Sequence, residues 1–573
     1  MKKRLLAISL ISLFALSGCD FFNNLSSKQN EQNSQENAGN SDENNQNSGE
    51  NQGNEQGNEN LPKNGQFYGG VVRENNHVGY EFSKSKTAIA KPITGTGNIY
   101  IYAFNDFHGS VLPNDDDPGL RIFGSFLKEK SKLSNTLILD QGDSWQGSLE
   151  SNYQYGSIVQ DVFTYAGVSL RTVGNHDFDW GLSHLESTQN RKVDGNYIPA
   201  LAANVYDYAN GVNGTVQQEQ YGKEYATFVL DNGIKIGVIG VIGLSQITTI
   251  SSQLVDSICF TDHIAKTKEL SDYLRTEKAC DVIVVSAHEG TKDIYQLGLD
   301  EVSSVSHKKY ADLVLSGHDH YAQHKVVNDV HYAQWGKNGR TVGFVTMKYD
   351  FTNNTLLYDQ TVGNSYNTNY LNAHYSSGET QINKMMNDYL EITNPLGDEV
   401  LSTNFSGTFD DNSFARVMAE AIYNRVSKTE NIDFAVCNYA RAGFSGSTFT
   451  YGDLYRSFPF DNQIILMNIS SQHSIDSCGH NFTYREDTTL NPEAGVGYRI
   501  AVIDYIGLHQ DTERQYDYFA DATNVSVFND GDGEASIYRD ILYSYLKDNP
   551  SKSFAADNYT DDNPRFLPHI EIL

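Results

Sequence analysis

Leu137-Ile138-Leu139-Asp140-Gln141-Gly142-Asp143 is an apolar run that ends in a short polar signature, and this combination recurs along the chain. Four more apolar runs end in polar signatures, which are Asn105–Gly109, Gly174–Asp179, Ser286–His288 and Ser316–His320. Each apolar run is typical of a buried strand. In an α/β sheet, ligands bind in the crevice beyond the carboxyl ends of the strands. The five signatures are therefore predicted to meet at one site.

The polar residues of these signatures are of the types that bind transition metals. They offer imidazole, carboxylate and amide oxygen, a set that suits Zn, Mn, Fe or Co, and no cysteine lies among them. A single polar signature after a strand is most often ordinary turn chemistry. Five in succession are difficult to obtain by chance, so the sequence predicts a metal-dependent site.

Length and charge limit the classes of function. A chain of 573 residues is too long for one ordinary domain, and two or three domains are expected. The net charge is −30, from 72 acidic and 42 basic residues. Such a surface repels the phosphates of nucleic acids, so a nucleic acid partner is disfavoured. A small phosphorylated substrate would also be repelled unless bound cations reversed the local field.

The first residues are predicted to be a targeting segment. Residues 1–18 combine a basic start with an apolar stretch that is too short for a convincing membrane span. They lead into Leu16-Ser17-Gly18-Cys19, which resembles the lipobox of bacterial lipoproteins and implies lipid attachment at Cys19. Residues 19–64 are almost entirely polar, as expected of a disordered tether. The sequence thus predicts an extracytoplasmic lipoprotein held at a bacterial membrane; the alternative is an ordinary signal peptide with an incidental cysteine.

The rest of the chain divides into two predicted domains. Residues 95–350 alternate apolar strands with helical stretches, which is the pattern of a layered α/β domain. Residues 351–397 are predicted to be an interdomain linker with a helix that stops at Asn394-Pro395. Residues 398–573 make the second domain, in which an amphipathic helix is followed by strands and a final helix.

The order of the motifs resembles that of a known family. Asp-x-His, Gly-Asp, Gly-Asn-His, His and Gly-His-x-His follow one another as in the calcineurin-like metallophosphoesterases. The longer strings Leu139–Ser148 and Gly174–Gly181 resemble the 5′-nucleotidase/UDP-sugar hydrolase branch. The resemblance implies an α/β fold, with a four-layer α/β/β/α metallophosphoesterase domain followed by an α+β 5′-nucleotidase C-terminal domain. It also implies an enzyme that hydrolyses phosphate esters of nucleotides with two divalent metal ions.

The resemblance assigns the metal ligands position by position. One metal ion would be bound by Asp106, His108, Asp143 and His320. The other would be bound by Asp143, Asn175, His288 and His318. Asp143 is the expected bridge, because the bridging ligand must be an anion able to bind both ions.

Two more residues are expected to act on the phosphate. By resemblance, His176 faces the phosphate and stabilises charge on its oxygens. Asp179 would orient the His176 imidazole and favour its protonated form. The alternative for Asp179 is a helix N-cap, since a helix is expected to begin near Trp180. Asp177 stands where the family commonly has glutamate, and no chemistry is assigned to it.

The second domain is expected to recognise the substrate. The string Phe458–Asn462 resembles the family's Pro-Phe-Gly-Asn segment, in which the aromatic ring stacks on the nucleobase. A second string, Ile503–Asp511, resembles the segment that supplies the other stacking ring and a ribose-binding aspartate. The residues that the resemblance assigns to the substrate are Asn438, Arg441, Phe460, Asn462, Tyr505 and Asp511. The alternative for the two aromatic residues is ordinary core packing.

This sequence departs from the family in two places. The family's Asn-Gly-Gly-Gly-Ile-Arg appears as Asn438-Tyr439-Ala440-Arg441, two residues shorter, and His509-Gln510 replaces the Gly-Gly before the ribose aspartate. Because glycine allows the backbone to approach a ligand closely, the pocket is expected to differ in shape. Hydrolysis of nucleoside monophosphates is therefore the leading hypothesis. Nucleotide sugars, cyclic nucleotides or another phosphoester are the alternative substrates, and a non-catalytic nucleotide-binding lipoprotein is a remote third. No protein partner is predicted.

Overall fold

Two sheets in the first domain pack face to face through strands that are apolar on both sides. Ile101 and Leu139 from one sheet share a fully buried cluster with Val238 and Val284 from the other. A strand that is buried on both faces has apolar residues at consecutive positions, which explains the apolar runs before the polar signatures. The space between the two sheets is therefore the central core of this domain.

The larger sheet has nine strands, and parallel pairing predominates where it adjoins the candidate site. Val282–His288 pairs in parallel with Lys235–Ile242 on one side and with Leu313–Ser316 on the other. In spatial order its strands are Lys63–Asn64, Phe67–Glu74, His77–Ser83, Tyr225–Val229, Lys235–Ile242, Val282–His288, Leu313–Ser316, Val330–Trp335 and Ala322–Val327.

The second sheet has six strands, and a small antiparallel sheet stands beside it. In spatial order the six strands are Thr355–Asn367, Thr341–Asp350, Thr96–Phe104, Thr136–Asp140, Leu170–Thr172 and Ala200–Leu201. The small sheet consists of Ile258–Phe260, Val205–Tyr208 and Val216–Gln220.

Helices cover the outer faces of both large sheets. Phe123 and Val162 pack with Phe104 on the six-stranded sheet, and Leu270 packs with Ile283 on the nine-stranded sheet. The α-helices of this part are Gly119–Lys130, Leu149–Asn152, Ser157–Ala166, Gly181–Gln189, His263–Thr276, Thr291–Ile294, Thr368–Tyr375 and Thr380–Gly397, and the 3₁₀ helices are Asn175–Phe178 and Leu244–Thr249. The order helix, sheet, sheet, helix confirms the predicted α/β fold class with four layers.

The C-terminal part is built around a five-stranded mixed sheet. Its strands, in spatial order, are Phe482–Tyr484, Phe434–Cys437, Tyr498–Ile503, Ile464–Ile469 and Thr523–Val527. Three two-stranded sheets join Val400–Ser402 to Phe449–Thr450, Phe405–Ser406 to Phe554–Ala555, and Thr408–Phe409 to Phe444–Ser445. The helices are Asp411–Val426, Tyr451–Ser457, Gln472–His480, Asp504–Gly507 and Tyr538–Asp548, with a 3₁₀ helix at Ala556–Asn558.

The N-terminal edge of the first domain was not predicted from the sequence. Phe67–Glu74 and His77–Ser83 form a hairpin, and the second strand pairs in parallel with Tyr225–Val229. Asn75 and Asn76 connect the two strands with positive φ angles of 50° and 67°. Two residues with positive φ are the mark of a tight hairpin turn, and asparagine tolerates this conformation. The Asn-Asn pair was therefore a local signal for these strands.

The segment predicted as a linker packs onto the first domain. Thr355–Asn367 pairs with Thr341–Asp350. The following helix was predicted to stop before Pro395, but it runs from Thr380 to Gly397. Proline removes one hydrogen bond near the end of this helix, but the helix still closes after it, since the Asp398 N–H bonds to the Asn394 carbonyl.

The computed structural model describes residues 63–64, 67–208, 216–251, 254–255, 257–508, 518–529, 531 and 536–569. The predicted signal peptide, Cys19 and nearly all of the predicted tether lie outside these residues. Within them, no helix combines the length and the apolar character needed to cross a membrane.

Candidate active site

Five strands from the two sheets end at one place. Thr96–Phe104, Thr136–Asp140 and Leu170–Thr172 are parallel neighbours in the six-stranded sheet. Val282–His288 and Leu313–Ser316 are parallel neighbours in the other sheet. Their polar signatures follow at the carboxyl ends, where an α/β sheet binds its ligands. The fold thus brings together segments that are far apart in the sequence.

The predicted metal ligands fall into two groups of buried or partly buried side chains. The first group is Asp106, His108 and His320, and the second is Asp143, His288 and His318. Within each group, one ligand atom per residue lies within 4.8 Å of the others. The side-chain oxygen of Asn175 joins the second group, at 2.9 Å from Nε2 of His288 and 3.2 Å from Nδ1 of His318. All seven predicted ligands are therefore close together.

The backbone at most of these ligands has a left-handed conformation. Positive φ angles occur at Asp106 (50°), His108 (48°), Asp143 (56°), His318 (81°) and His320 (64°). Aspartate, asparagine and histidine tolerate this conformation better than most residues, but it is still uncommon. Such strain clusters at functional sites, where the surrounding structure enforces it. Tight turns after the strands thus direct these side chains toward one point.

Gly174 allows two ligand loops to approach each other. A Cβ atom on this residue would lie 2.2 Å from Oδ1 of Asp143 and 2.7 Å from its backbone nitrogen. No larger residue fits without moving the Asp143 loop. The glycine in the Gly-Asn-His signature therefore has a steric role, because it permits Asn175 to lie beside Asp143.

Backbone carbonyls orient two of the histidines. Nδ1 of His288 donates to the Gln141 carbonyl at 2.7 Å, and Nδ1 of His108 donates to the Gln146 carbonyl at 3.2 Å. Fixing Nδ1 as the donor leaves Nε2 of each ring as a metal ligand, an arrangement common around protein-bound metals. The two groups are also connected, since the His318 N–H donates to Oδ2 of Asp106 at 2.9 Å.

The residues present fit divalent cations. Oδ1 of Asp106 is buried and has no hydrogen-bond partner among the described residues, and Oδ2 of Asp143 is buried beside Nε2 of His288, at 3.2 Å. A buried carboxylate oxygen without a partner is costly, and a bound cation would satisfy it. Nε2 of His108 lies 2.9 Å from Nε2 of His320, so two ring nitrogens converge on the same point in the first group. Imidazole, carboxylate and amide oxygen together suit first-row transition metals.

Burial controls the charges of the first group. Burial and the neighbouring His320 hold the pKa of His108 well below its usual value. Burial and the positive charge of Arg441 lower the pKa of His320 to about 2. Both imidazoles are therefore neutral at ordinary pH, which is the state that binds a metal ion. Burial raises the pKa of the Asp106 carboxyl to about 7, and the Asp143 charge adds to the shift.

The second group contains a coupled carboxylate and imidazole. Burial alone would raise the pKa of Asp143, but the imidazoles of His288 and His176 outweigh it and hold the pKa well below the usual value. Burial would likewise lower the pKa of His288, but Asp143, with an oxygen 3.2 Å from Nε2, raises it to about 10. A cation between these two side chains would replace the proton on Nε2.

A third cluster of acidic residues and histidine lies elsewhere and already contains its own cation. His77, Glu224 and Glu269 have ligand atoms within 4.8 Å of one another. The Lys266 ammonium lies 2.7 Å from Glu224 and 2.9 Å from Glu269. The lysine neutralises the carboxylates, so this cluster is an ion-pair network that fixes the N-terminal hairpin to helix His263–Thr276.

His176 and Asp179 are paired as the resemblance implied. Nδ1 of His176 donates to Oδ2 of Asp179 at 2.8 Å, and each side chain is 16% exposed. Burial lowers the pKa of His176, but the carboxylates of Asp179 and Asp143 outweigh it, so the net shift is upward. The alternative role of Asp179 is not observed, since the N-cap of helix Gly181–Gln189 is Trp180.

Asp177 has a structural partner that the sequence did not reveal. Its Oδ2 accepts from Arg171 at 2.5 Å and from the Gly174 N–H at 2.8 Å, and both charged side chains are almost fully buried. The guanidinium of Arg171 also stacks on Trp145, 3.7 Å from the ring centroid. Asp177 therefore holds the turn that presents Asn175 and does not face the candidate metal groups.

A cavity of about 240 Å³ opens beside His176, between the first and second domains. Five of the six predicted substrate residues line it, namely Asn438, Arg441, Phe460, Asn462 and Tyr505. The sixth, Asp511, lies outside the described residues. The Phe460 ring stacks on the His176 ring with 5.1 Å between centroids, and the Arg441 guanidinium lies 5.4 Å from the Phe460 centroid. Phe460 and Tyr505 are only partly buried, so both can contact a ligand.

The carbonyl of Pro459 joins the two domains next to Phe460. The side-chain amides of Gln146 and Asn152, both from the first domain, donate to it at 3.0 Å each. Arg539 from the second domain donates to the same oxygen at 3.0 Å. The sequence analysis did not select Gln146, although it follows Asp143 by three residues. Its carbonyl binds His108 and its amide binds Pro459, so it connects a predicted metal ligand to the aromatic ring over the cavity.

Comparison with known proteins agrees with this geometry. Residues 99–322 match the calcineurin-like phosphoesterase family. This part of the chain belongs to that family. The predicted resemblance is confirmed, and so is the predicted enzyme class for the calcineurin-like domain, a metal-dependent phosphoester hydrolase. The matched residues contain all seven predicted metal ligands together with His176 and Asp179.

Relatives with the same domain have different activities in their names. Endonuclease YhcR of Bacillus subtilis is 24% identical over 407 residues, which are 65% of this chain and 32% of that protein. Apyrase of Tabanus yao is 22% identical over 433 residues, which are 67% of this chain and 73% of that protein. The chain thus spans less than two thirds of the first relative, and the two names do not agree on a substrate.

A solved structure shares the fold beyond the calcineurin-like domain. The 5′-nucleotidase precursor from Thermus thermophilus superposes with a TM-score of 0.61 and 15% identity. The superposition covers 79% of this chain and 96% of that one, so it extends well past residues 99–322. At this identity the likeness shows the fold alone.

Proposed function

We propose that this protein hydrolyses phosphate esters of nucleotides, in the manner of a 5′-nucleotidase that releases phosphate from a nucleoside monophosphate. One observation carries the proposal. His176, next to the candidate metal groups, stacks on Phe460, and both line one cavity with Arg441 and Tyr505. The cavity thus places His176, beside the candidate metal groups, for a phosphate next to aromatic rings for a base.

The proposed cofactors are two divalent metal ions, drawn from Zn, Mn, Fe or Co. Asp106, His108 and His320 would hold one ion, and Asn175, His288 and His318 the other. Asp143 would bind both. Bound there, the ions would supply the positive charge and Lewis acidity that phosphoryl transfer requires. The chain's own contribution is to fix these ligands in strained loops, so that little reorganisation is needed during the reaction.

The remaining residues would position and stabilise the phosphate. Asp179 accepts from Nδ1 of His176 and raises the pKa of the ring, so the protonated form is favoured and Nε2 can donate to a phosphoryl oxygen. This hydrogen bond strengthens as negative charge develops on the oxygen. Arg441 adds a positive charge to the cavity wall, 5.4 Å from the centroid of the Phe460 ring. The relatives named 5′-nucleotidase, including one from Vibrio parahaemolyticus, support a nucleotide substrate.

The second candidate keeps the metals and changes the substrate to nucleotide sugars, cyclic nucleotides or another phosphoester. The observation in its favour is the shortened segment Asn438–Arg441. Tyr439 from this segment lines the cavity and is 59% exposed, so a bulky ring lies at the pocket entrance. Phosphate release from a panel of these substrates by metal-reconstituted protein lacking residues 1–64 separates the two candidates.

Removing an aromatic ring is expected to weaken nucleotide turnover selectively. Stacking of a base on an aromatic side chain contributes about 1–3 kcal/mol, so Phe460→Ala and Tyr505→Ala should lower kcat/KM for a nucleotide by roughly 10–100-fold. Activity on p-nitrophenyl phosphate should stay within a few-fold, because that ester has no base to stack. Equal losses on both substrates would mean that the two rings are core residues. No contact in the cavity would then support a nucleotide as the substrate.

The protein is further proposed to act outside the cytoplasm, anchored by lipid at Cys19. The supporting features are the basic and apolar start, the lipobox-like string and the polar stretch up to residue 64. Cys19→Ser is expected to release the protein from membranes, because the lipid needs that sulfur. Fractionation after expression in a lipoprotein-processing host measures this, with the unmodified sequence as control. Retention of the serine variant through a high-salt wash would argue for another anchor.

A further inference from the structure

One carboxylate in the wall of the substrate cavity is not used by the proposed chemistry. Asp504 lines the cavity and is only 6% exposed. It directly precedes Tyr505, so it belongs to the wall that carries a proposed stacking ring. Its position is fixed, since its backbone N–H donates to the Gln463 carbonyl at 2.8 Å. Asp504 is therefore held in place next to the part of the cavity proposed to receive the leaving group.

The partners of this carboxylate among the described residues are uncharged. Oδ1 accepts from the Tyr505 N–H at 2.8 Å, and Oδ2 lies 3.5 Å from the hydroxyl of Ser251, at the limit of a hydrogen bond. Burial raises the pKa of Asp504 to about 6, so it remains largely ionised at neutral pH. A buried negative charge without a cation is costly, which makes such a group in a cleft a candidate for ligand recognition.

The other two acidic side chains that line the cavity are already paired. Asp179 is bound to His176 at 2.8 Å, and Asp461 forms an ion pair with Arg539. The guanidinium of Arg441, which also lines the cavity, lies 5.4 Å from the centroid of the Phe460 ring. The wall of the cavity therefore has a positive charge over Phe460, and Asp504 adds a negative charge beside Tyr505.

We propose that Asp504 selects the substrate by the charge of its leaving group. It favours phosphomonoesters whose leaving group is neutral with N–H or O–H donors, or is cationic, and it excludes those with a second negative charge. A carboxylate can only accept hydrogen bonds while it is ionised, and it repels an anion placed beside it. The inference rests on the proposed function, because it takes the same cavity to bind the leaving group.

Two pairs of nucleotides test the charge selection. Orotidine 5′-monophosphate differs from uridine 5′-monophosphate by a carboxylate on the base, and 7-methylguanosine 5′-monophosphate differs from guanosine 5′-monophosphate by a positive charge. The wild-type protein is expected to prefer uridine over orotidine 5′-monophosphate in kcat/KM by about 10-fold or more, from a like-charge contact in a partly buried site. It should also prefer the methylated guanine nucleotide over the unmethylated one.

Two variants of Asp504 separate the effect of its charge from the effect of its size. Asp504→Asn keeps the size and removes the charge, so both preferences should shrink about 10-fold toward unity. Asp504→Glu keeps the charge and should retain the direction of both preferences. A uniform loss on every substrate, or unchanged preferences in Asp504→Asn, would overturn the proposal.

A pair without a nucleoside separates this inference from the proposed function. 4-Carboxyphenyl phosphate and 4-carbamoylphenyl phosphate are similar in size and differ in the charge at the far end of the ring. If no nucleotide is hydrolysed, the proposed nucleotidase activity fails, and this pair still reports on Asp504. The preference for the carbamoyl ester should then fall in Asp504→Asn and remain in Asp504→Glu. If the wild-type protein shows no such preference, Asp504 does not select charge. Thermal unfolding of each variant shows whether the substitution is tolerated by the fold.

Discussion

Asp143→Asn is expected to abolish turnover and to empty or weaken both metal positions. One oxygen of Asp143 accepts from the His176 N–H at 2.9 Å, and the other is buried 3.2 Å from Nε2 of His288. An amide offers one neutral oxygen where two cations need a shared anion. Asparagine also tolerates the positive φ of 56° at this position, so the loop itself should persist.

Metal analysis of the purified variant, together with phosphate release, measures this effect. His331→Asn is a suitable control, because His331 pairs with His324 on the outer strands and belongs to neither candidate metal group. The control should keep the metal content and activity of the wild-type protein. Two tightly bound ions and a near-normal rate in Asp143→Asn would exclude a bridging role.

His176→Asn is expected to lower turnover by about 10²–10³-fold, the usual cost of one transition-state donor, while metal content is retained. The physical basis is the position of the ring, which is held by Asp179 at 2.8 Å and faces the cavity against Phe460. Because the backbone N–H of residue 176 still donates to Asp143, the neighbouring ligand loop should be unaffected.

Asp179→Asn provides a graded comparison for the same assignment. It should reduce turnover less than His176→Asn, since an amide can still accept from Nδ1 but no longer favours the charged ring. Rates and bound metal are measured on both variants, with His331→Asn again as the control. If His176→Asn loses a metal ion, this histidine is a ligand, and the division of roles between Asn175 and His176 must be reversed.

Local pattern was sufficient for the layers of the first domain and for the place of its candidate site. Strands such as Val282–His288 are buried on both faces, so their apolar runs were visible without knowledge of their neighbours. Polar residues at the ends of such runs can meet at only one edge of a parallel sheet. The start of helix His263–Thr276 also has a local cause, because the Asp262 side chain accepts from the Ile264 and Ala265 N–H groups.

Predictions failed or were missing where a long-range contact outweighs the local signal. Proline usually ends a helix, yet Thr380–Gly397 continues past Pro395. Ile382 and Met386 of this helix are buried in the core on the outer face of the six-stranded sheet. Residues 67–83 lie outside the predicted domains although Asn75-Asn76 marks their hairpin, and the second strand has its parallel partner, Tyr225–Val229, far along the chain. In both places packing against distant residues provides the stability that the local sequence does not reveal.

The sequence by itself determined the types of the predicted metal ligands, their order along the chain and the ends of the strands that carry them, because periodicity and turn chemistry are local properties. Only the tertiary structure decided that Asp177 binds Arg171 and that Phe460 stacks on His176. The same is true of Asp504, an inconspicuous residue in the sequence that becomes a buried charge in a cavity wall. Contacts between distant segments depend on how sheets and domains pack, and burial changes the chemistry of a side chain without changing its identity.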